Sequence, residues 1–161
     1  MGCLPHHANE LTSPYKYQLG GDVRNPRAIS RFACYLWAAP CTAVGLCLVA
    51  PAFLFGARAQ VVKGVVEVAL SAHKRSGVLL QALSINAITF GHVVIGTTGS
   101  ELNRLRAHEH EHVRQYERWG ASFFVAYPLA SFWQLLNGRR PYLDNWFEVQ
   151  ARAKESNDPD R

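Results

Sequence analysis

From Phe32 to Gly56 the chain carries no charged side chain. A helix needs roughly 20 apolar residues to cross the hydrocarbon of a bilayer, so this stretch is long enough to span one with some tilt. Burying it, in lipid or in protein, is the first demand any fold of this chain must meet. Pro40, Gly45 and Pro51 disfavour a straight helix in water but are tolerated in membrane helices. We read the stretch as a transmembrane segment, with a buried hairpin in a soluble core as the alternative. It is too long for an ordinary signal peptide, and residues 1–31 before it, rich in Pro, His, Asn and Gly, read as a flexible tail. His6-His7 in that tail is an adjacent pair without supporting ligands. Ala57-Arg58-Ala59 has the form of a cleavage site, which leaves removal before Gln60 open; retention as an anchor is the reading adopted.

Arg24, Arg27 and Arg31 precede the segment, against Arg58 and Lys63 after it, an excess that favours a cytoplasmic N-terminus and a non-cytoplasmic remainder. Cys34, Cys41 and Cys47 lie inside the segment and Cys3 at the extreme N-terminus, so they read as packing or lipid-facing side chains. The net charge of +5 is spread along the chain with no basic patch or nucleic-acid module, which argues against a nucleic-acid partner. Arginines near the apolar stretches suit anionic lipid headgroups instead.

Residues 108 to 112 read His-Glu-His-Glu-His, and within them His108, Glu109 and His112 form an H-E-x-x-H pattern. On a helix, residues four apart share a face, so two imidazoles there can bind one metal while the glutamate beside them addresses a water. Thr98-Gly99-Ser100-Glu101 has the form of a capping box, which starts a helix near residue 99; Gly120 is its terminator. His108 and His112 share the stripe begun by Leu102 and Leu105 and so face the interior, where a metal would satisfy otherwise unpaired rings. His110, roughly 200° around the helix from His108, is expected to point to solvent with Glu111.

A catalytic zinc usually takes three protein ligands, so a third is needed. Pro141 to Glu148 supplies one: Asn145-x-x-Glu148 looks like a helix start, and Ala151 lies one turn beyond Glu148, leaving room for close approach to a metal. Glu117 is the competing carboxylate, but it sits about 140° from His112 on the same helix. With these two motifs the chain resembles the gluzincin metallopeptidases. It is more similar still to a group of small, mostly uncharacterised bacterial proteins that share HEHEHVRQYERWG and PYLDNWFEVQA, over roughly Asn86 to Arg152.

That resemblance implies Zn2+ on His108, His112 and Glu148, Glu109 as general base, and a peptide as substrate. It also implies an edge strand beside the metal that pairs with extended substrate, expected at Val93-Val94-Ile95. Many gluzincins carry an aspartate a turn after the ligand glutamate; here that position is Arg152, so support for the ligands must come from Asp144, Glu117 or a backbone carbonyl. Donors for a developing oxyanion are Tyr142, Tyr127, Tyr116 and His92, which the sequence does not separate. His73, in the polar stretch from Ser71 to Gly77, reads as solvated.

Alternation over Gln60 to Val68 predicts two strands turning at Lys63-Gly64, and Ala82 to Ile95 two more turning at Gly91-His92, together a small, mostly antiparallel sheet. Ala121 to Leu136 is a second apolar run, broken by Pro128 and short for a span. It reads as a buried or interfacial helix that carries the chain back so that Glu148 meets the histidines. Asn137 to Pro141 is a turn, and Lys154 to Arg161 a polar, frayed end. The expected architecture is α+β: tail 1–31, transmembrane segment 32–56, and a zincin-like domain over 57–161. Three functions fit: a membrane-anchored zinc peptidase, a non-catalytic zinc-binding membrane protein, or a metal-free membrane adaptor.

Overall fold

The computed structural model describes residues 26–70 and 85–156. The expected tail, His6-His7, His73, the start of the second strand pair and the chain end after Ser156 lie outside the described residues. Helix α1 spans Pro26–Phe53 and runs unbroken through Pro40 and Pro51. From Arg31 to Phe53 it is long and apolar enough to cross a membrane. Its buried stripe is Ala38, Cys41, Gly45 and Val49, at steps of three and four, flanked by half-buried Cys34, Ala39, Thr42 and Ala52, and the other residues from Arg31 to Phe53 are exposed.

Four strands follow, β1 (Arg58–Val62), β2 (Val65–Ala69), β3 (Ala87–Phe90) and β4 (Val93–Gly96). Lys63 and Gly64 both take positive φ, 53° and 86°, as a tight hairpin between right-twisted strands requires. The order in the sheet is β1-β2-β4-β3. Pairs β1/β2 and β3/β4 are antiparallel as the turn signals predict, whereas β2 and β4 run parallel. The end of β2 at Ala69 and the start of β3 at Ala87 both lie beside Gly96, so β3 carries the chain back along the sheet and β4 can then run parallel to β2. This order overturns the expected substrate edge. Val93, Val94 and Ile95 pair on both sides, so no free edge exists there; the outer strands are β1 and β3, and β3 is the one beside β4.

Period-two alternation sends each strand's side chains to two layers. Val68, Val93 and Ile95, with Val66, Ile88 and Phe90, pack on Val49 of α1. Val65 and Val94 pack on Leu102 and Val113 of α2, the helix Gly99–Trp119 on the opposite face. Gly45 lets α1 come close: a Cβ there would lie 2.9 Å from the Cβ atoms of Phe90 and Val93. A third cluster joins Ala38 and Cys41 of α1 to Tyr116, Phe123 and Phe147. The core therefore crosses the expected boundary at residue 56. Ala57-Arg58-Ala59 runs into β1, so cleavage before Gln60 would cut a paired strand.

Helix α2 starts as expected: the Thr98 hydroxyl accepts from the Glu101 amide at 3.2 Å. The reciprocal half of the capping box is absent, because the Glu101 carboxylate binds Arg104 instead. Gly120, at φ 56°, ends the helix under the Trp37 ring. A short 3-10 turn, Gly120–Ser122, leads into α3 (Phe123–Leu136), which continues through Pro128. Helix α4 (Trp146–Ser156) then packs along α2. It carries Lys154 to Ser156 as helix where a frayed end was expected.

Candidate metal centre

His108 and His112 stand one turn apart on the inner face of α2, and Glu148 faces them from the first turn of α4. Asn145 makes that approach possible. It is fully buried; its carbonyl accepts from the Phe147 amide at 2.9 Å, starting α4, while its amide group donates to Tyr127 O and Ser131 Oγ of α3. Donor atoms of three side chains converge: His108 Nε2 lies 3.2 Å from His112 Nε2 and 3.4 Å from Glu148 Oε2, and His112 Nε2 lies 3.3 Å from Glu148 Oε1. An ion bound tetrahedrally at about 2.0–2.1 Å separates neighbouring donors by about 3.3 Å, whereas octahedral bonds of that length bring them to about 2.9 Å. The 3.2 Å between the two imidazole nitrogens is nearer the tetrahedral spacing, and each nitrogen faces its own oxygen of Glu148. Glu148 Oε2 is buried and accepts no hydrogen bond, an expensive state for a carboxylate oxygen facing two imidazoles. This buried group of His108, His112 and Glu148 could hold a metal ion.

The surrounding side chains orient the donors. Gln115 donates from Nε2 to Phe147 O at 3.0 Å, which turns its Oε1 toward His112 Nδ1, 2.8 Å away. A carbonyl oxygen only accepts, so Nδ1 carries the proton and the Nε2 lone pair points into the site. Glu155 Oε2 lies 3.6 Å from His108 Nδ1, on the far side of that ring. The Tyr127 hydroxyl donates to Glu148 Oε1 at 2.7 Å, and Arg152 Nη1 stands 3.7 Å from Oε2. Burial would raise the Glu148 carboxyl, but the facing imidazoles and Tyr127 outweigh it and hold it well below the ordinary range. For His112, burial opposes the cation, yet Glu148, Glu109 and Gln115 together raise its pKa. Both shifts describe one locus that favours positive charge.

Comparison with protein-family models, curated proteins and solved structures finds no match to this chain. What the site can do rests on its own chemistry. A cavity of about 770 Å³ opens over the three donors, walled by β3 from Ala87 to Phe90, by Tyr116 of α2 and by Phe123, Tyr127 and Pro128 of α3. Glu109 lines it too and is buried. Burial raises its pKa, with the neighbouring histidines and a hydrogen bond from Thr89 acting in the opposite direction. That bond runs from Thr89 Oγ1 to Glu109 Oε2 at 2.7 Å, tying the carboxylate to the outer strand.

Of the four oxyanion donors expected, the structure brings Tyr127, Tyr142 and Tyr116 to the cavity and leaves His92 out of it. Tyr127 is engaged with Glu148, and the Tyr116 ring packs on Phe123 and Phe124. Tyr142 is half exposed at the rim, its hydroxyl pushed up to about 12 by burial and by the Glu148 charge. His92 lies at the turn after β3, stacked on Tyr35 of α1, with Nε2 3.1 Å from Glu117 Oε1 and its amide donating to Thr42 Oγ1. That accounts for Glu117, which is neither a ligand nor a support for one. Asp144 instead accepts from the Arg140 amide.

His110 and Glu111 also depart from expectation. His110 Nε2 lies 3.0 Å from Glu67 Oε1, and the Glu111 carboxylate is largely covered while paired with Arg114. The sheet covers more of α2 than a single stripe, so a residue 200° from the site meets β2 rather than solvent. Glu67, 1% exposed, also accepts from Arg106 Nε and Nη2 and from Gln60 Nε2. Burial pushes its carboxyl up, but Arg106, Gln60 and His110 outweigh that and lower it. Burial keeps His110 neutral, so Arg106 supplies the counter-charge. Thr89, Gln115, Glu155 and Glu67 were missed as site supports. Gln115 carried a readable signal, three residues after a ligand on the same helix.

Proposed function

We propose that this protein is a membrane-anchored zinc metallopeptidase. The observation that carries the reading is the donor group of His108, His112 and Glu148, with Glu109 beside it and, along the same cavity, strand β3, whose outer edge pairs with no strand among the described residues. Two imidazoles and one carboxylate are a borderline-soft set that suits zinc far better than calcium or magnesium. Three protein donors also leave a coordination position open, as a catalytic site requires and a structural one does not. Zinc held there would lower the pKa of a water toward 7. Glu109, fixed by Thr89 through Oε2, would act as the base that takes a proton from the attacking water and gives it to the leaving amine. Its upward shift by burial suits a base that must also act as an acid.

An extended peptide pairs with the outer edge of β3, which sets its backbone against Glu109 because Thr89 belongs to both features. Tyr142, protonated at neutral pH and standing at the rim of the cavity, donates to the oxyanion. Helix α1 supplies the membrane attachment, and the arginine excess before it supports a site on the non-cytoplasmic side. The test is zinc stoichiometry of the full chain purified in detergent, with peptide cleavage measured alongside. The parent should hold a single zinc; His112→Ala and Glu148→Ala should lose it. Glu109→Gln should keep the zinc and lose cleavage by about 10²- to 10⁴-fold. Full zinc in His112→Ala, or parental cleavage by Glu109→Gln, would end this assignment.

A further inference from the structure

Helix α3 carries no charge from Phe123 to Leu136, yet most of it is uncovered. Val125, Leu129, Phe132, Trp133 and Leu136 are each more than half exposed, with Trp133 at 65%. Its other side, through Phe123, Tyr127 and Pro128, lines the cavity over the metal donors. One wall of the site is thus a single helix thick, with an apolar outer surface. That surface does not end with α3. Trp37 of α1 packs on Gly120 at the turn that launches α3, and the uncovered circumference of α1 shows Leu36, Val44 and Leu48.

A contiguous apolar surface of this extent is not stable against water. Its occupant is identified by three features. It is continuous with a helix apolar enough to cross a membrane. Arg118 and Arg139, both exposed, stand just outside the two ends of α3, where they would meet anionic headgroups. Trp119, Trp133 and Trp146 are all part-exposed around it, in the manner of side chains that settle at the headgroup level. We propose that the outer faces of α1 and α3 form one lipid-facing surface, and that the cavity takes peptide segments tethered to or emerging from the bilayer. The second half rests on the peptidase reading; the first does not.

The test uses the full chain in vesicles of mixed phosphatidylcholine and phosphatidylglycerol. The emission that disappears in Trp133→Phe should be quenched by lipids brominated in the acyl chain and shielded from aqueous iodide. Quenching by iodide and not by brominated lipid would place α3 in water and overturn the proposal. Shielding from both, with doubled mass in detergent, would put a second copy of the chain on this face and overturn it equally. For substrate class, one peptide is supplied free and with an acyl chain. Leu129→Asp and Phe132→Asp, on the exposed face away from the metal donors, should slow cleavage of the acylated peptide by about tenfold or more, the effect of withdrawing one apolar side chain from lipid. Cleavage of the free peptide should be unchanged. Equal loss on both peptides, or no parental preference for the acylated one, overturns the substrate half. Lipid quenching with no cleavage of any peptide removes the peptidase reading, and the substrate half with it, while leaving the lipid-facing surface standing.

Discussion

Gln115 and Glu67 act on the candidate site from opposite sides of α2. Gln115 fixes the proton of His112 on Nδ1 and is itself fixed by Phe147 O, so its removal should loosen a ligand without touching the metal. Gln115→Leu is expected to weaken zinc binding by about 10- to 100-fold in competition with a chelator, with the fold retained. Glu67 holds the back of α2 to β2 through Arg106 and His110. Because its carboxyl titrates lower in the folded protein than in the unfolded chain, the stabilisation is complete above the ordinary glutamate pKa. It is lost as pH falls through the folded value. Thermal unfolding of Glu67→Gln should therefore be less pH-dependent than that of the parent below the ordinary glutamate range, and lower in midpoint near neutrality. Identical acid profiles would show that Glu67 contributes nothing through its charge.

At the scale of elements, β3 and β4 exchange the roles that chain order assigns them. The turn at Gly91-His92 was readable from composition, and so were the start of α2 at Thr98, its end at Gly120 and the start of α4 at Asn145, because each depends on local backbone chemistry. Which strand lies outermost depends on pairing between residues far apart, as in Val66 with Val93, and no local pattern encodes it. The same holds for His110. Helical periodicity gave its angle correctly but not the presence of Glu67 beyond it. His108, Glu109, His112 and Glu148 were legible because their chemistry restricts residue type and spacing together. Thr89 was not, since threonine is ordinary in a strand. The edge assignment has its own test. Val94→Pro should unfold the sheet, because β4 is paired on both sides. Ala87→Pro and Ile88→Pro, at adjacent positions of β3, remove amides that point in opposite directions. One of them should stay folded and zinc-loaded while raising KM, and two folded variants with parental kinetics would rule β3 out as the substrate edge.

For the molecule as a whole, α1 is part of the core and more than an address. Ala38, Cys41 and Val49 are buried in clusters that include Tyr116, Phe147 and the central strands. A chain beginning at Gln60 would lose those side chains and the first residues of β1. It is therefore expected to aggregate or to show loss of tertiary structure by near-ultraviolet circular dichroism, and not to appear as a free, active domain. A soluble Gln60 fragment with full zinc and parental activity would show that α1 is dispensable. The full-length chain should stay with membranes in alkaline carbonate; quantitative release would contradict the reading of α1 as the anchor.

The polar tie between Thr42 and His92 joins residues 50 positions apart. It has a consequence for synthesis. Helix α1 leaves the ribosome well before β3 and β4 exist, so the stripe of Ala38, Cys41, Gly45 and Val49 must wait uncovered, with the Thr42 hydroxyl donating to its own helix at Ala38 O. Only when the turn at Gly91-His92 arrives can the sheet close over it, and only then does β3 stand where Thr89 can hold Glu109. Glu148 of α4 follows later still, so the site closes only when nearly all of the described chain is present, and a chain stalled before residue 92 would have helix α1 and no site.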